Sequence, residues 1–190
     1  MYLDSLSVFA AYKNRIATLK GFNVKKALLF ISSLVFALGL SSQSFAISAG
    51  DKAPLFKLPQ LEGKKKISLK SLRGKVVYLD FWASWCGPCR QSLPMMSDIR
   101  DKLKKKGFEV LAVNLDEEPE AGLAFLKQFP VSFPVVSDVA GKTPEMYGLQ
   151  GMPTSYLIDR KGKVQLVHVG FKKSDITELE KKITKLLKKK

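Results

Sequence analysis

The chain has 190 residues, of which 46% are hydrophobic and 26% are charged. This composition excludes a disordered chain, and the length suits one domain of ordinary size plus an additional segment. The formal net charge of +15 raises the question of nucleic acid or an anionic membrane as a partner. The lysine-rich runs at 64–66, 102–106 and 181–190 contain no interleaved aromatic residues. We therefore predict no nucleic-acid platform and favour a solvated basic surface over one attracted to an anionic membrane.

The N-terminal segment has the order of a secretory signal. A lysine pair at 25–26 precedes an uncharged apolar run at 27–40, and a small-residue cleavage site ends at Ala46. The apolar run of 14 residues is shorter than the roughly 20 residues of a membrane span. We predict a cleaved signal peptide over residues 1–46, with the true start near Val24. An uncleaved membrane anchor is the alternative.

The mature chain, residues 47–190, begins with a polar stretch. Its prolines and glycine over 47–63 indicate a loosely structured lead-in, and a short edge strand is predicted at 67–69. The continuous apolar run at 75–83 is rich in β-branched and aromatic residues and predicts a buried central strand. Apolar spacing over 88–105 predicts a helix, which its internal proline should kink.

The rest of the chain continues the alternation of strands and helices. The predicted elements are a strand at 108–115, a helix at 119–128, a strand at 133–136, a short helix at 143–147 and two strands within 154–170 around a turn at 159–162. Ser174 is predicted to cap a final amphipathic helix. This order predicts an α/β fold in which a central mixed sheet is covered by helices on both faces.

Both cysteines of the chain, Cys86 and Cys89, lie where the central strand gives way to a helix. Unpaired N–H groups and the helix dipole favour an anion there, so the pKa of Cys86 should fall. We therefore expect Cys86 to be the exposed nucleophile. Cys89 lies one turn further on, close enough to form a disulfide with it, and Pro88 fixes the first turn. The spacing predicts that Cys86 attacks a partner's disulfide and that Cys89 resolves the mixed disulfide.

Two other roles for the cysteine pair are less favourable. A structural disulfide that closes so short a loop would stabilise the fold little. A zinc site usually needs four ligands, and the single histidine, His168, has no second cysteine pair beside it. We predict a redox-active pair and no metal site. His168 is expected to be a structural or surface residue.

Two segments carry a resemblance to a known family. Residues 76–89 (VVYLDFWASWCGPC) resemble the active-site segment of thioredoxins, and residues 151–159 (GMPTSYLID) resemble their cis-proline loop. The lead-in GDKAPLFKLP and the segment SLKSLRGKVV narrow the resemblance to TlpA/ResA-like periplasmic thiol–disulfide oxidoreductases, over about residues 50–187. The resemblance implies a thioredoxin fold with an extra N-terminal β lead-in, and a periplasmic location.

The resemblance also implies roles for individual residues. Cys86 would be the nucleophile, Cys89 the buried resolving thiol and Pro153 the cis-proline. Met152 would offer its backbone to an extended partner segment, as in strand addition. The other predicted substrate-binding residues are Trp85, Gly87, Pro88 and Thr154. Trp85 could instead be an ordinary half-buried aromatic residue.

Asp80 lies within an apolar strand, where an unpaired carboxylate is costly. In thioredoxins the matching aspartate lies beneath the resolving cysteine. Burial should raise the pKa of Asp80, which would let it accept and return the proton of Cys89. The alternative is a strand-end residue that reaches solvent. The chain departs from its relatives at Ser92, where many ResA-like proteins carry glutamate, and at Ala112, near the lysine of thioredoxins.

These residues predict an enzyme, a thiol–disulfide oxidoreductase that uses only the Cys86–Cys89 pair and no other cofactor. We expect a monomer that reduces disulfides of exported proteins, with cytochrome c or copper-protein assembly as candidate settings. A membrane thiol donor of the DsbD/CcdA type would recharge it. Because of the departure at Ser92, specificity for haem-protein maturation does not transfer directly. The alternatives are a disulfide oxidase or isomerase, and a metallochaperone whose thiolates hold Cu(I).

Overall fold

The computed structural model describes residues 46–189 of the chain. The predicted signal peptide over residues 1–46 and the predicted start near Val24 lie outside this range, apart from Ala46, and stay predictions. None of the helices in the described part of the chain combines the length and the apolarity of a membrane span.

In the part of the chain that the structure describes, seven strands form two sheets. In chain order they are β1 (Lys57–Pro59), β2 (Lys66–Ser68), β3 (Val76–Trp82), β4 (Phe108–Asn114), β5 (Val135–Ser137), β6 (Thr154–Ile158) and β7 (Val164–Val169). The main sheet has the order β5-β4-β3-β6-β7, with β3 parallel to β4 and antiparallel to β6. Every residue of β3, β4 and β6 is buried, as expected for strands covered on both faces. The predicted mixed sheet is confirmed.

The lead-in is more ordered than its composition suggested. β1 and β2 pair as an antiparallel hairpin, and a bridge from Gln60 to Val136 attaches this hairpin beside β5. The N-terminal β lead-in that the family resemblance implied is confirmed by this hairpin. The edge strand predicted at 67–69 is found one residue earlier, and β1 is the part of the lead-in that the composition of residues 47–63 did not indicate. Its three residues end in Pro59 and show no apolar alternation, so only tertiary pairing makes them a strand.

Four helices within residues 46–189 cover the main sheet. They are α1 (Gly87–Leu103), α2 (Pro119–Gln128), α3 (Lys142–Tyr147) and α4 (Asp175–Lys188), with short 3-10 turns at Leu69–Leu72 and Lys104–Lys106. One apolar layer joins α1 and α4 to the sheet through residues such as Met96 and Ile183. The opposite layer contains Tyr147 of α3 and Phe56 of the lead-in. Helices therefore lie on both faces, as predicted.

The start of α4 differs from its prediction. Ser174 precedes the helix, but its backbone is already helical (φ −61°, ψ −25°) and its side chain caps no N–H group. A capping residue normally has an extended backbone, which brings its side chain back over the first turn. Asp175 instead accepts the N–H of Lys172 at 2.9 Å through Oδ2.

Successive side chains of β3 belong alternately to the two apolar layers. Tyr78 and Trp82 belong to the layer that contains α1 and α4, whereas Leu79 and Phe81 belong to the opposite layer. Because successive side chains of a strand point to opposite faces, Asp80 points into the α1/α4 layer. Cys89 lies in that layer as well.

Candidate active site

The two cysteines lie at the carboxyl end of β3, where the chain enters α1. They form a disulfide, with their Cα atoms 5.3 Å apart. Cys86 is the N-cap residue of α1, and its Sγ accepts the N–H of Cys89 at 3.3 Å. In the dithiol form, the same N–H group and the positive end of the helix dipole would stabilise a thiolate at Cys86.

Cys86 was expected to be exposed, but the exposed fractions of the two cysteines differ only slightly. Cys86 is 5% exposed and Cys89 is fully buried. Cys86 is thus the one of the pair that reaches solvent, but it does so through a narrow opening because it belongs to the same buried cluster as Cys89. Any group that reacts with Cys86 must therefore approach its Sγ directly.

The loop before Cys86 is held by a buried carboxylate. Asp116 follows β4 and is 3% exposed. Its two carboxylate oxygens accept the N–H of Ser84 at 3.1 and 3.0 Å, and Oδ1 also accepts the Ser84 hydroxyl at 3.0 Å. Asn114 donates to Oδ2 at 2.7 Å. Asp116 was not among the predicted site residues, although it follows β4, and the carboxyl ends of two neighbouring parallel strands meet at one edge of the sheet.

The predicted cis-proline loop lies at the same end of the sheet as the cysteines. The Met152–Pro153 peptide bond is cis, and Thr154, the next residue, pairs with Phe81 near the end of β3. The loop is held by the bond from the Gly170 N–H to the Pro153 carbonyl oxygen, at 2.8 Å. Met152 packs against the cluster that contains both cysteines.

The predicted substrate-binding residues fall into two groups. Trp85 is 69% exposed, which does not fit an ordinary half-buried aromatic residue, and Gly87 and Pro88 are exposed beside it. Thr154 is 3% exposed, and its hydroxyl donates to the Gly151 carbonyl oxygen at 2.7 Å. Thr154 therefore braces the cis-proline loop from inside, and substrate contact by these residues stays a prediction.

Asp80 is buried in the middle of β3 and does not reach solvent. It is 1% exposed, and its Oδ1 accepts the Ser155 hydroxyl at 2.6 Å. Burial raises the pKa of Asp80 to about 7, and the bond from Ser155 opposes the rise. Ala112 is its neighbour on β4, so that strand supplies no cation beside the carboxylate. A carboxyl group with a pKa near neutrality suits the exchange of a proton with a thiol.

The first turn of α1 supplies no carboxylate of its own. Ser92, where many ResA-like proteins carry glutamate, is 3% exposed and donates to the Cys89 carbonyl oxygen at 3.0 Å. The Ser92 hydroxyl is thus bonded to the backbone of its own helix. Ser92 therefore supplies no ionisable group at this position, and proton exchange between Asp80 and Cys89 stays a prediction.

A second polar group lies near Asp80 on the same face of the sheet. The Tyr78 hydroxyl is 3.1 Å from His168 Nδ1, and His168 Nε2 is 3.3 Å from Asp175 Oδ2. Burial raises the pKa of Tyr78 above its usual range, and the charge of Asp80 raises it further. These contacts give His168 defined partners that its position in the sequence did not indicate. Within residues 46–189, no group of three or more His, Cys, Asp or Glu side chains could hold a metal ion.

Comparison with known proteins agrees with this site. Residues 48–183 match the family described as Redoxin. The thiol–disulfide oxidoreductase ResA of Bacillus cereus is 39% identical over 175 residues, which cover 90% of this chain and 98% of that protein. ResA of Bacillus subtilis is 39% identical over 157 residues, covering 77% of this chain and 87% of that protein. A Chlorobium tepidum structure, assigned as thiol:disulfide interchange protein DsbE, is 53% identical with a TM-score of 0.72. The structural match covers 75% of this chain and 99% of the Chlorobium tepidum chain.

Proposed function

The chain belongs to the Redoxin family and is a thiol–disulfide oxidoreductase; from this premise we propose that it reduces disulfide bonds of exported proteins. The observation that carries the proposal is the Cys86–Cys89 pair at the N-terminus of α1, at the same end of the sheet as cis-Pro153. Gly-Pro between the cysteines resembles reducing thioredoxins rather than strong oxidants. The predicted signal peptide supports export to the periplasm.

The reaction begins at the nucleophilic thiolate. Cys86 attacks one sulfur of the partner's disulfide, the partner's S–S bond breaks, and the other partner sulfur leaves as a thiolate. A mixed disulfide now joins Cys86 to the partner. The only proton transfer in this step is the protonation of the leaving thiolate.

Cys89 completes the reaction. Its thiol gives a proton to Asp80, and the resulting thiolate attacks Sγ of Cys86. The Cys86–Cys89 disulfide forms, the partner's second sulfur leaves and takes up a proton, and two electrons have passed to the partner. The oxidised pair seen in the structure is the product of this step. A membrane thiol donor of the DsbD/CcdA type would return it to the dithiol.

The surface around the opening to Cys86 suits a polypeptide substrate. Trp85 offers an exposed aromatic side chain next to the nucleophile. Within residues 46–189, the N–H and C=O groups of Met152 make no hydrogen bond, so they are free to pair with an extended partner segment. We expect the protein to act as a monomer, with apocytochrome c and copper-assembly proteins as candidate substrates.

The reduction potential of the Cys86–Cys89 pair tests the direction of the reaction. The pair would be equilibrated with glutathione mixtures, and the fraction of dithiol would be followed by tryptophan fluorescence, with Cys89→Ser as the control that forms no internal disulfide. A potential near that of thioredoxin, about −270 mV, supports the reductase. A potential near about −120 mV would identify an oxidase. Failure to reduce insulin together with stoichiometric retention of Cu(I) would identify a metallochaperone.

A further inference from the structure

Arg160 joins three segments at the end of the sheet opposite the cysteines. Its Nη1 donates to the Gly74 carbonyl oxygen at 2.7 Å, and its Nη2 donates to the carbonyl oxygens of Lys106 at 3.4 Å and Leu187 at 3.3 Å. Gly74 comes before β3, Lys106 ends the 3-10 turn after α1, and Leu187 lies in the last turn of α4. These contacts bring together two lysine-rich runs that are far apart in the sequence.

Six cations surround this junction, and we refer to them as the basic pole. They are Lys105, Lys106, Arg160, Lys161, Lys188 and Lys189. The lysines among them are exposed, and none of the six forms a salt bridge with a carboxylate in the described part of the chain. Arg160, Lys161 and Lys189 line one cavity of about 190 Å³. The residues that follow α4 therefore lie beside the turn between β6 and β7.

The carboxylates near the basic pole do not cancel its charge. Asp101 forms a salt bridge with Lys104 at 2.7 Å. Asp159 lines the cavity, where its Oδ1 accepts the N–H of Lys161 at 3.0 Å and its Oδ2 accepts the side-chain amide of Gln165 at 2.9 Å. Asp159 thus supplies one negative charge against the six positive charges of the pole. Charges of one sign gathered on one surface create a local positive potential that attracts anions.

The basic pole and the cysteines lie at opposite ends of β3. The pole surrounds Gly74, which precedes the first residue of β3, whereas Cys86 follows the carboxyl end of that strand. β3 has seven residues, so at about 3.3 Å per residue the two ends are roughly 20 Å apart. A partner that covers the basic pole therefore leaves the opening to Cys86 free.

The composition of the basic pole distinguishes among anionic partners. Protein interfaces usually have aromatic or other apolar anchors at their centre, and single-stranded nucleic acids stack on aromatic side chains. The exposed large hydrophobic residues in the described range are Leu55, Trp85, Phe129, Val139, Met146 and Val169. None of them belongs to the segments that form the pole. Charge alone is sufficient at an anionic bilayer, where each lysine near the headgroups raises the binding constant about fivefold.

We propose that the basic pole docks on an anionic phospholipid surface and holds the protein with its cysteines directed away from the bilayer. Each lysine-rich run taken by itself favours a solvated surface, but the fold gathers the ends of two runs and the β6–β7 turn on one surface. Binding at this surface involves neither cysteine, so the proposal is independent of the direction of electron flow. In the setting of the proposed function, the docked protein presents Cys86 to exported polypeptides.

Sedimentation with vesicles would measure the binding. The oxidised protein would be purified after export, so that every variant has the same N-terminus, and mixed with vesicles of equal parts phosphatidylglycerol and phosphatidylcholine. The wild type should bind these vesicles more tightly than pure phosphatidylcholine, and added salt should remove the difference because it screens the charges. The double variant Lys105→Gln/Lys106→Gln should bind about 25-fold more weakly, at about fivefold for each lysine.

Lys64→Gln/Lys65→Gln is the matched control. It also removes two exposed, adjacent lysine charges, but it lies in the β1–β2 loop beside β5, toward the other edge of the main sheet. Its affinity for the vesicles should fall less than about threefold, because exposed charges beyond a Debye length are largely screened. Both double variants alter exposed side chains only, so their urea midpoints should equal that of the wild type.

Tryptophan fluorescence would test the orientation. Trp85 is exposed beside Cys86, whereas Trp82, the other tryptophan, is buried. Emission should stay unchanged on vesicles whose acyl chains carry bromine, a contact quencher of tryptophan, because Trp85 faces away from the bilayer. Quenching of the bound protein would place the cysteine end on the bilayer and overturn the proposed orientation.

Three other outcomes would overturn the proposal. They are equal affinity for vesicles with and without phosphatidylglycerol, an equal loss in the two double variants, and binding of a DNA duplex with the affinity and the lysine dependence found for vesicles. The last result would identify a surface for polyanions in general. None of these outcomes changes the reduction potential of the cysteine pair, so failure of the lipid surface would be distinguished from failure of the proposed reductase.

Discussion

Replacement of Asp80 by asparagine should stabilise the protein, and the gain should depend on pH. Burial raises the pKa of this carboxyl from 3.8 to about 7. Below pH 3.8 the group is protonated in both the folded and the unfolded chain, so it contributes nothing. Between these values the unfolded chain ionises and the folded chain does not, and the free energy of unfolding falls as the pH rises. Above pH 7 the full penalty is present.

The size of the penalty follows from the two pKa values. They differ by 7 − 3.8, about three pH units, and each unit corresponds to about 1.4 kcal/mol. Ionised Asp80 therefore costs the folded protein about 4 kcal/mol at pH 8. Asparagine is neutral and can still accept the hydroxyl of Ser155. The D80N variant should recover most of this free energy at pH 8 and almost none at pH 4.

Urea unfolding of the oxidised proteins, followed by tryptophan fluorescence at pH 4.5, 6 and 8, would measure the gain. With a slope of about 1–3 kcal/mol per molar urea, the midpoint of D80N should exceed that of the wild type by more than about 1 M at pH 8. Asp138→Asn is the matched control, because Asp138 is also buried but accepts the N–H of Thr143 at 2.6 Å; it should lose stability at every pH. A D80N midpoint equal to wild type at pH 8, or a gain of equal size at pH 4.5, would refute the reasoning.

Three further substitutions test other parts of the site and the fold. Asp116→Asn should cost about 1–3 kcal/mol and slow the reaction of Cys86 with a small disulfide reagent, because the bonds to Ser84 weaken; unchanged kinetics would exclude the bracing role. Trp85→Ala should change stability by less than about 0.5 kcal/mol but raise KM for insulin, with the small reagent unaffected; an equal loss with both substrates would place Trp85 in the chemistry instead. Arg160→Ala should cost about 2 kcal/mol in urea unfolding, since Arg160 donates to three main-chain carbonyl oxygens; a cost near zero would mean that water replaces these bonds.

The elements of the sheet and its helices could be predicted because their signals are local. The apolar run at 75–83 became β3, Val76–Trp82, and the helix at 119–128 was found with the same bounds. Local signals fail where an element exists only through its partner. β1 has three residues and is a strand only through its pairing with β2. Ser174 has the residue type of a cap but a helical backbone, which its sequence neighbours do not reveal.

The site likewise has contacts that local sequence predicts and contacts that it does not. Cys86 and Cys89 are three residues apart, so their relation could be predicted from helix geometry, and the cis bond at Pro153 followed from the family resemblance. The partners of the loop and of Asp80 depend on strand register. Ser84 and Asp116 are 32 residues apart, and Asp80 and Ser155 are 75 residues apart. Each pair meets because particular strands are neighbours in the sheet, which no periodicity of the sequence specifies.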